Sequence, residues 1–199
     1  MYIGRFVVLG RTEGRQRFLG YRVSSRSFPD RRIALGQDRA AVLPTADAAP
    51  TDNPYIAYNC LRVSGDTAVV ANGSHVDPII DKVAAGYPLR DALALALLAL
   101  DYEHDAYNTP RIVAGWQGET GYLGIVTPAK LLVRALPLEP GQARLIATYE
   151  LTEPTLLACQ GKDADALAQT LYDAPYEHPV ASLAVLLGET PLLAMRGPA

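Results

Sequence analysis

Nine consecutive apolar residues, Ala92 to Leu100, stand in the middle of a 199-residue chain, with Pro88 just upstream and Asp101 directly after them. Nine is too few to cross a membrane, which takes roughly 20. Alanine and leucine on nearly every side of a helix imply burial on nearly every side. The spacing therefore predicts a helix from Pro88 to about Glu103, lodged between layers of a core. A shorter helix precedes it: Asp77-Pro78 has the form of an N-cap followed by proline in the first turn, the pattern runs from Ile79 to Ala85, and Gly86 stops it.

On both sides of this pair the chain is rich in β-formers. Tyr2 to Leu9 and Phe18 to Val23 flank a polar connection, Gly10 to Arg15, and predict a hairpin. Arg39 to Leu43, Tyr55 to Val63 and Thr67 to Ala71 continue the pattern, and Gly65-Asp66 turns the last two. Pro44 to Pro54 holds three prolines and reads as loop. After Pro110 come Arg111 to Trp116, Tyr122 to Val126, Leu131 to Leu136 and Arg144 to Tyr149. Asp163 to Tyr172 reads as helix, and Val180 to Leu187 as helix or strand. Strands, two helices, strands and a helix do not make the regular alternation of a doubly wound parallel sheet. The order fits antiparallel sheet layers with helices outside them, an α/β chain of the α+β type forming a single domain over residues 1–199.

Composition narrows the function. With 49% hydrophobic and 20% charged residues the chain has enough apolar surface to fold. Eighteen Lys and Arg against 21 Asp and Glu leave no cationic surplus for duplex nucleic acid. Neither a leader pattern nor a membrane span is read, and Cys60 and Cys159, 99 positions apart, form no C-x-x-C. A cytoplasmic protein is expected.

Several segments carry side chains suited to chemistry. If 21–28 is extended, Arg22, Ser24 and Arg26 point to one side and could grip a phosphate or carboxylate; a solvated edge strand has the same spacing. Asn72-Gly73-Ser74-His75 leads into a helix, where free N–H groups favour an anion, and also suits an ordinary turn. His75-x-Asp77 offers two ligands without a partner cluster, so no metal is expected. Asp101-Tyr102-Glu103-His104-Asp105 places carboxylates at a helix end that prefers cations, which marks either a functional site or a frayed end in water. Tyr58, Asn59 and Cys60 interrupt an apolar strand, as a pocket lining or as a satisfied core, with Cys60 read as a small buried hydrophobe.

In order along the chain stand Tyr-Arg-Val-Ser-Ser-Arg-Ser-Phe-Pro at 21–29, Asn-Pro-Tyr-Ile-Ala-Tyr-Asn-Cys at 53–60 and Gly-Asp-Thr-Ala-Val-Val at 65–70. Asn-Gly-Ser-His at 72–75, Asp-Tyr-Glu at 101–103, Asn-Thr-Pro-Arg-Ile at 108–112, Thr148-Tyr149-Glu150 and Thr152-Glu153-Pro154 follow. Together these blocks resemble the archaeal-type IMP cyclohydrolases, strongly to about residue 154 and weakly beyond it.

The resemblance implies a four-layer αββα sandwich of two antiparallel sheets flanked by helices, similar to N-terminal nucleophile hydrolases. It implies a hydrolase of the cyclic amidine class working in the ring-closing direction, without cofactor, in purine biosynthesis. The substrate would be 5-formamidoimidazole-4-carboxamide ribonucleotide, the product IMP, and the protein a homo-oligomer with neither nucleic acid nor membrane as partner. Catalytic roles would fall on Arg22, Tyr58 and Glu103, with Glu103 raised in pKa by its place at a helix end. Motif position adds Ser24, Arg26, Asn72, Gly73, Ser74 and His75 as phosphate or ribose contacts, and Asn59, Asn108 and Arg111 as pocket residues. Two other functions are consistent with the fold. An N-terminal nucleophile amidohydrolase needs Ser, Thr or Cys as residue 1, where this sequence has Met1 before Tyr2. A non-catalytic purine-nucleotide-binding protein does not require the pair Tyr58 and Glu103.

Overall fold

The computed structural model describes residues 1–198. Thirteen strands form two sheets. The first has the order β11 (Thr155–Leu156), β10 (Ala143–Ala147), β1 (Phe6–Arg11), β2 (Arg17–Ser24), β12 (Pro179–Leu186), β13 (Leu192–Arg196). The second runs β3 (Arg31–Leu35), β4 (Arg39–Pro44), β5 (Tyr58–Ser64), β6 (Thr67–Ala71), β7 (Arg111–Gln117), β8 (Thr120–Thr127), β9 (Lys130–Leu136). Every pairing is antiparallel, including the expected β1–β2 hairpin.

Side-chain alternation builds the layers. Leu19, Tyr21 and Val23 of β2 face Tyr58 and Cys60 of β5 and Ile112 and Ala114 of β7 in a core between the sheets. The alternate residues Phe6, Val8 and Phe18 point outward and pack under α3 (Ala164–Tyr172). On the other side Val69, Ala71 and Val113 lie under α1 (Val76–Ala84) and α2 (Leu89–Leu100). The result is helix, sheet, sheet, helix, as expected for an α+β sandwich.

Three expectations change. The helix α2 is not apolar-buried all round: Leu89, Ala92, Leu93, Ala96 and Leu97 pack on the sheet, but Leu98 is 68% exposed and Leu95 and Leu100 are also exposed. The helix lies outside the sheets, so only one face is covered. It also stops at Leu100, with Asp101 at a left-handed φ of 53°, and Glu103 belongs to the following loop. Third, α1 begins at Val76 behind His75, because the Asp77 carboxylate is engaged by Asn59 and Arg62 rather than capping. The segment read as helix or strand is β12, hydrogen-bonded between β2 and β13. Among the described residues no helix is long and apolar enough to cross a membrane.

Candidate active site

Loops at one end of the two sheets enclose a cavity of about 100 Å³. It opens past Ser27, Phe28, Arg31 and Ile56 into a hollow of about 290 Å³, and past Tyr2, Arg26, Tyr107 and Tyr149 into one of about 460 Å³. Its charged residues are Arg5, Arg26, Arg31, Glu103 and Asp105.

Glu103 is nearly fully buried and meets Arg5 at two points: Nη2 donates to Oε2 at 2.8 Å and Nη1 to Oε1 at 3.3 Å. Arg5 also donates to the Asn72 carbonyl at 3.0 Å. Burial alone would lower the Arg5 pKa, but Glu103 and the nearby Tyr58 and Tyr21 leave it raised well above its ordinary value. Glu103 lies beyond the end of α2, and its side-chain neighbours are guanidiniums rather than helix carbonyls. Gly4 makes the placement of Arg5 possible. It sits at φ +70°, and a Cβ there would lie 2.1 Å from Thr148 Oγ1.

The loop bearing Glu103 is tied to itself. Glu103 N–H donates to the Thr109 carbonyl at 2.8 Å. Asp105 accepts from the Thr109 and Tyr107 N–H groups and from the Thr109 hydroxyl at 2.7 Å. Burial raises the Asp105 carboxyl, but those Thr109 and Tyr107 bonds bring it below its usual value. With its own proton on Asp105, the Thr109 hydroxyl accepts from Tyr149, 3.0 Å away.

Two further arginines add positive charge, Arg31 in the cavity lining and Arg111 behind Glu103. Arg31 is 4% exposed, its Nε donates to the Phe28 carbonyl at 3.0 Å, and it forms no ion pair among the described residues. A buried guanidinium without a counter-charge is a ready receptor for an anion. Arg111 stands 3.9 Å from Glu103 Oε1, with Nε and Nη1 free of hydrogen bonds, and burial lowers its pKa. Gly73 closes this corner: a Cβ there would lie 2.9 Å from Arg111 Nη1, 3.4 Å from His75 Nδ1 and 3.5 Å from Glu103 Oε1. Burial, and next the Arg111 charge, push His75 down to about 3, so it is neutral; its Nε2 meets the Ile112 carbonyl at 3.0 Å.

Of the residues nominated from sequence, Glu103, Ser24 and Arg26 line the cavity, and the buried Ser24 Oγ has no hydrogen-bond partner. Gly73, His75 and Arg111 adjoin Glu103. Asn72 is fully buried and clamps β6 to β7, donating to the Pro110 carbonyl and accepting from Ile112 N–H. Tyr58 is not among the residues lining the cavity; it packs in the inter-sheet core near Arg5, its hydroxyl 2.7 Å from that of Tyr21.

Four nominations fall elsewhere. Arg22 alternates with Tyr21 and Val23, so it points out of the inter-sheet core. It donates to the Ala174 carbonyl at 2.7 Å, and to Leu171 and Tyr176, at the C-terminal end of α3. Burial there lowers it to about 10. By the same alternation Asn59 faces α1 and binds Asp77. Ser74 is exposed, and Asn108 is exposed at a φ of 48° that turns its loop. Sequence reasoning missed Arg5, Arg31, Tyr21 and Tyr149. A signal for Arg5 existed, since it directly precedes the unbroken apolar run Phe6-Val7-Val8-Leu9.

A family model described as IMP cyclohydrolase-like protein matches residues 2–190, which include every residue of this site. The chain belongs to the IMP cyclohydrolase-like family. It is 51% identical over 187 residues to the IMP cyclohydrolase of Natronomonas pharaonis, covering 94% of this chain and 93% of that protein. It is 48% identical to those of Haloquadratum walsbyi, over 93% and 90% of the two chains, and Methanocella arvoryzae, over 90% of each. The family match extends past residue 154, so the IMP cyclohydrolase-like region takes in α3 and β12 as well.

Proposed function

We propose that the chain closes 5-formamidoimidazole-4-carboxamide ribonucleotide to IMP. The observation that carries this reading is the Glu103 carboxyl group held at two points by Arg5 in a pocket that is also lined by Arg31, which has no counter-charge among the described residues. The substrate is an anion with a poorly nucleophilic amide that must be placed against its own formyl carbon. Arg31, Arg26 and the Ser24 hydroxyl hold the phosphate end. Glu103 accepts a proton from the carboxamide nitrogen as the N–C bond to the formyl carbon forms. Tyr58 donates to the formyl oxygen, and Arg5 and Arg111 stabilise the charge that develops near Glu103. The resulting hydroxyl leaves as water together with the proton of the former formamido nitrogen. Overall two protons pass to the departing oxygen, and no electron transfer is involved.

The protein is read as a cytoplasmic homo-oligomer. The exposed Leu95 and Leu98 face of α2 supports self-association, and two buried, unpaired cysteines suit a reducing compartment. The test is direct: purified protein is mixed with the formamido ribonucleotide and the absorbance of the closed purine is followed. Turnover is expected, at the same rate with a chelator present; no turnover would overturn the reading.

A further inference from the structure

We propose that Tyr21 is a positioning residue that holds the Tyr58 hydroxyl as a proton donor toward the substrate. The inference rests on the proposed role of Tyr58 and adds to it the origin of that hydroxyl's direction.

Tyr21 and Tyr58 come from different sheets. Tyr21 is on β2, paired with Val7 and Leu183, and Tyr58 is on β5, opposite Val42. Their hydroxyl oxygens meet at 2.7 Å in the inter-sheet core. Distance alone leaves the direction of the bond undetermined, because each phenol both donates and accepts.

The surroundings decide it. Tyr21 is 0% exposed, and among the described residues its hydroxyl has one hydrogen-bond partner, Tyr58. Tyr58, itself outside the cavity lining, retains 7% exposure and is near enough to Arg5, which does line the cavity, to interact with its charge. If Tyr58 donated to Tyr21, the Tyr21 proton would be buried without an acceptor, a costly arrangement. If Tyr21 donates to Tyr58, the fully buried proton lies in the shared bond, and the remaining O–H belongs to the less buried phenol, on the side of Arg5, which lines the cavity. Burial and the adjacent Tyr58 push the Tyr21 phenol well above its ordinary pKa, so it keeps the proton that the arrangement requires. Tyr21 thus fills the acceptor side of the Tyr58 oxygen and leaves its O–H for the formyl oxygen.

The experiment is a double-mutant cycle on turnover of the formamido ribonucleotide, with Tyr21→Phe, Tyr58→Phe and both together, alongside equilibrium binding of IMP. Tyr21→Phe is expected to lower kcat about tenfold, the scale of one ordinary hydrogen bond, with KM and IMP affinity within about twofold of wild type. In the Tyr58→Phe background the same change is expected to have no further effect, because its target is gone. An undiminished kcat in Tyr21→Phe, or losses that multiply in the double variant, would overturn the assignment. So would loss of folding or IMP binding along with rate, which would make Tyr21 merely structural. A fully active Tyr58→Phe would instead overturn the role given to Tyr58, so the two failures are distinguishable.

Discussion

Arg5 and Glu103 stand 98 residues apart in sequence and form a two-point ion pair, 2.8 and 3.3 Å, with both side chains at least nine-tenths buried. Burying two charges costs several kcal/mol each unless geometry and further bonds offset it. Here Asn72 supplies a third contact through its carbonyl, and Asn72 is itself pinned to Pro110 and Ile112. The pair joins the residue just ahead of β1 to the loop after α2, so two charges that are expensive to bury are held together at the edge of the cavity.

Removing either partner should have different consequences. Glu103→Gln keeps the shape and is expected to lower kcat by about 10²–10⁴-fold with a smaller change in KM, the range for loss of a general base. Arg5→Met leaves the buried Glu103 with only the longer 3.9 Å contact to Arg111, and is expected to cost about 3 kcal/mol in urea unfolding as well as activity. Near wild-type kcat in Glu103→Gln would reduce catalysis to positioning alone.

The two arginines at 22 and 31 separate binding from stability. Arg31→Ala removes a charge-assisted contact worth about 1.5–3 kcal/mol, so KM should rise roughly 10- to 150-fold. Arg22→Met should leave kcat and KM near wild type while lowering stability by about 1–3 kcal/mol, because carbonyls at the end of α3 lose their donor. A large kcat loss in Arg22→Met with unchanged stability would restore it to the catalytic site. Steady-state kinetics paired with denaturant melts reads both.

Much of the fold was legible because its signals are local. The β1–β2 hairpin and the Gly86 stop follow from turn and cap chemistry, and the helix read from Asp163 to Tyr172 is α3, which Asp163 caps by accepting from Ala166 N–H. Short strands such as β3 and β13 escaped because their pairing partners, not their composition, make them strands. The site was half legible. Glu103 and Ser24 stood out as polar residues in family-like blocks. The side of the sheet that Arg22 faces was not legible, because alternation fixes which residues share a face, but not which face meets the other sheet. Arg5 meets Glu103 across 98 residues, a contact that no window of sequence contains.

Stability should depend on His75. Its folded pKa of about 3 lies below the ordinary value of 6.5, so the unfolded chain binds the proton more readily. Stability is therefore complete above about pH 6.5 and falls as pH drops toward 3, by about 1.4 kcal/mol per pH unit in the middle of that window. Urea melts between pH 7 and pH 4 should show this slope in the wild type and a shallower one in His75→Gln. Parallel slopes would remove His75 as the source.

The outer face of α2 gives a prediction about assembly. Leu98 at 68% exposure and Leu95 at 41% are spaced three apart, on one side of the helix. Light scattering is expected to report an oligomer for the wild-type chain. Leu95→Glu with Leu98→Glu should shift it toward monomer without unfolding, since neither side chain is in the core. A monomeric wild type would overturn the expected homo-oligomer.

Gly73 offers the cleanest separation of activity from folding. Its φ does not lie in the left-handed region, so alanine is not excluded by its backbone. What a methyl group would meet is Arg111 Nη1 at 2.9 Å, the far end of a flexible side chain, with His75 Nδ1 and Glu103 Oε1 at 3.4 and 3.5 Å. The fold can absorb this by moving the guanidinium, and replacing glycine also restricts the unfolded chain, a gain of about 0.4–1 kcal/mol. Gly73→Ala should therefore unfold within about 1 kcal/mol of wild type. Displacing Arg111 from Glu103 should nevertheless lower kcat/KM by about tenfold or more, the scale of one charged contact. A variant that keeps full activity would show that the Arg111 position at this corner does not matter to turnover. One that loses stability and activity together would show that Gly73 serves the fold rather than the site.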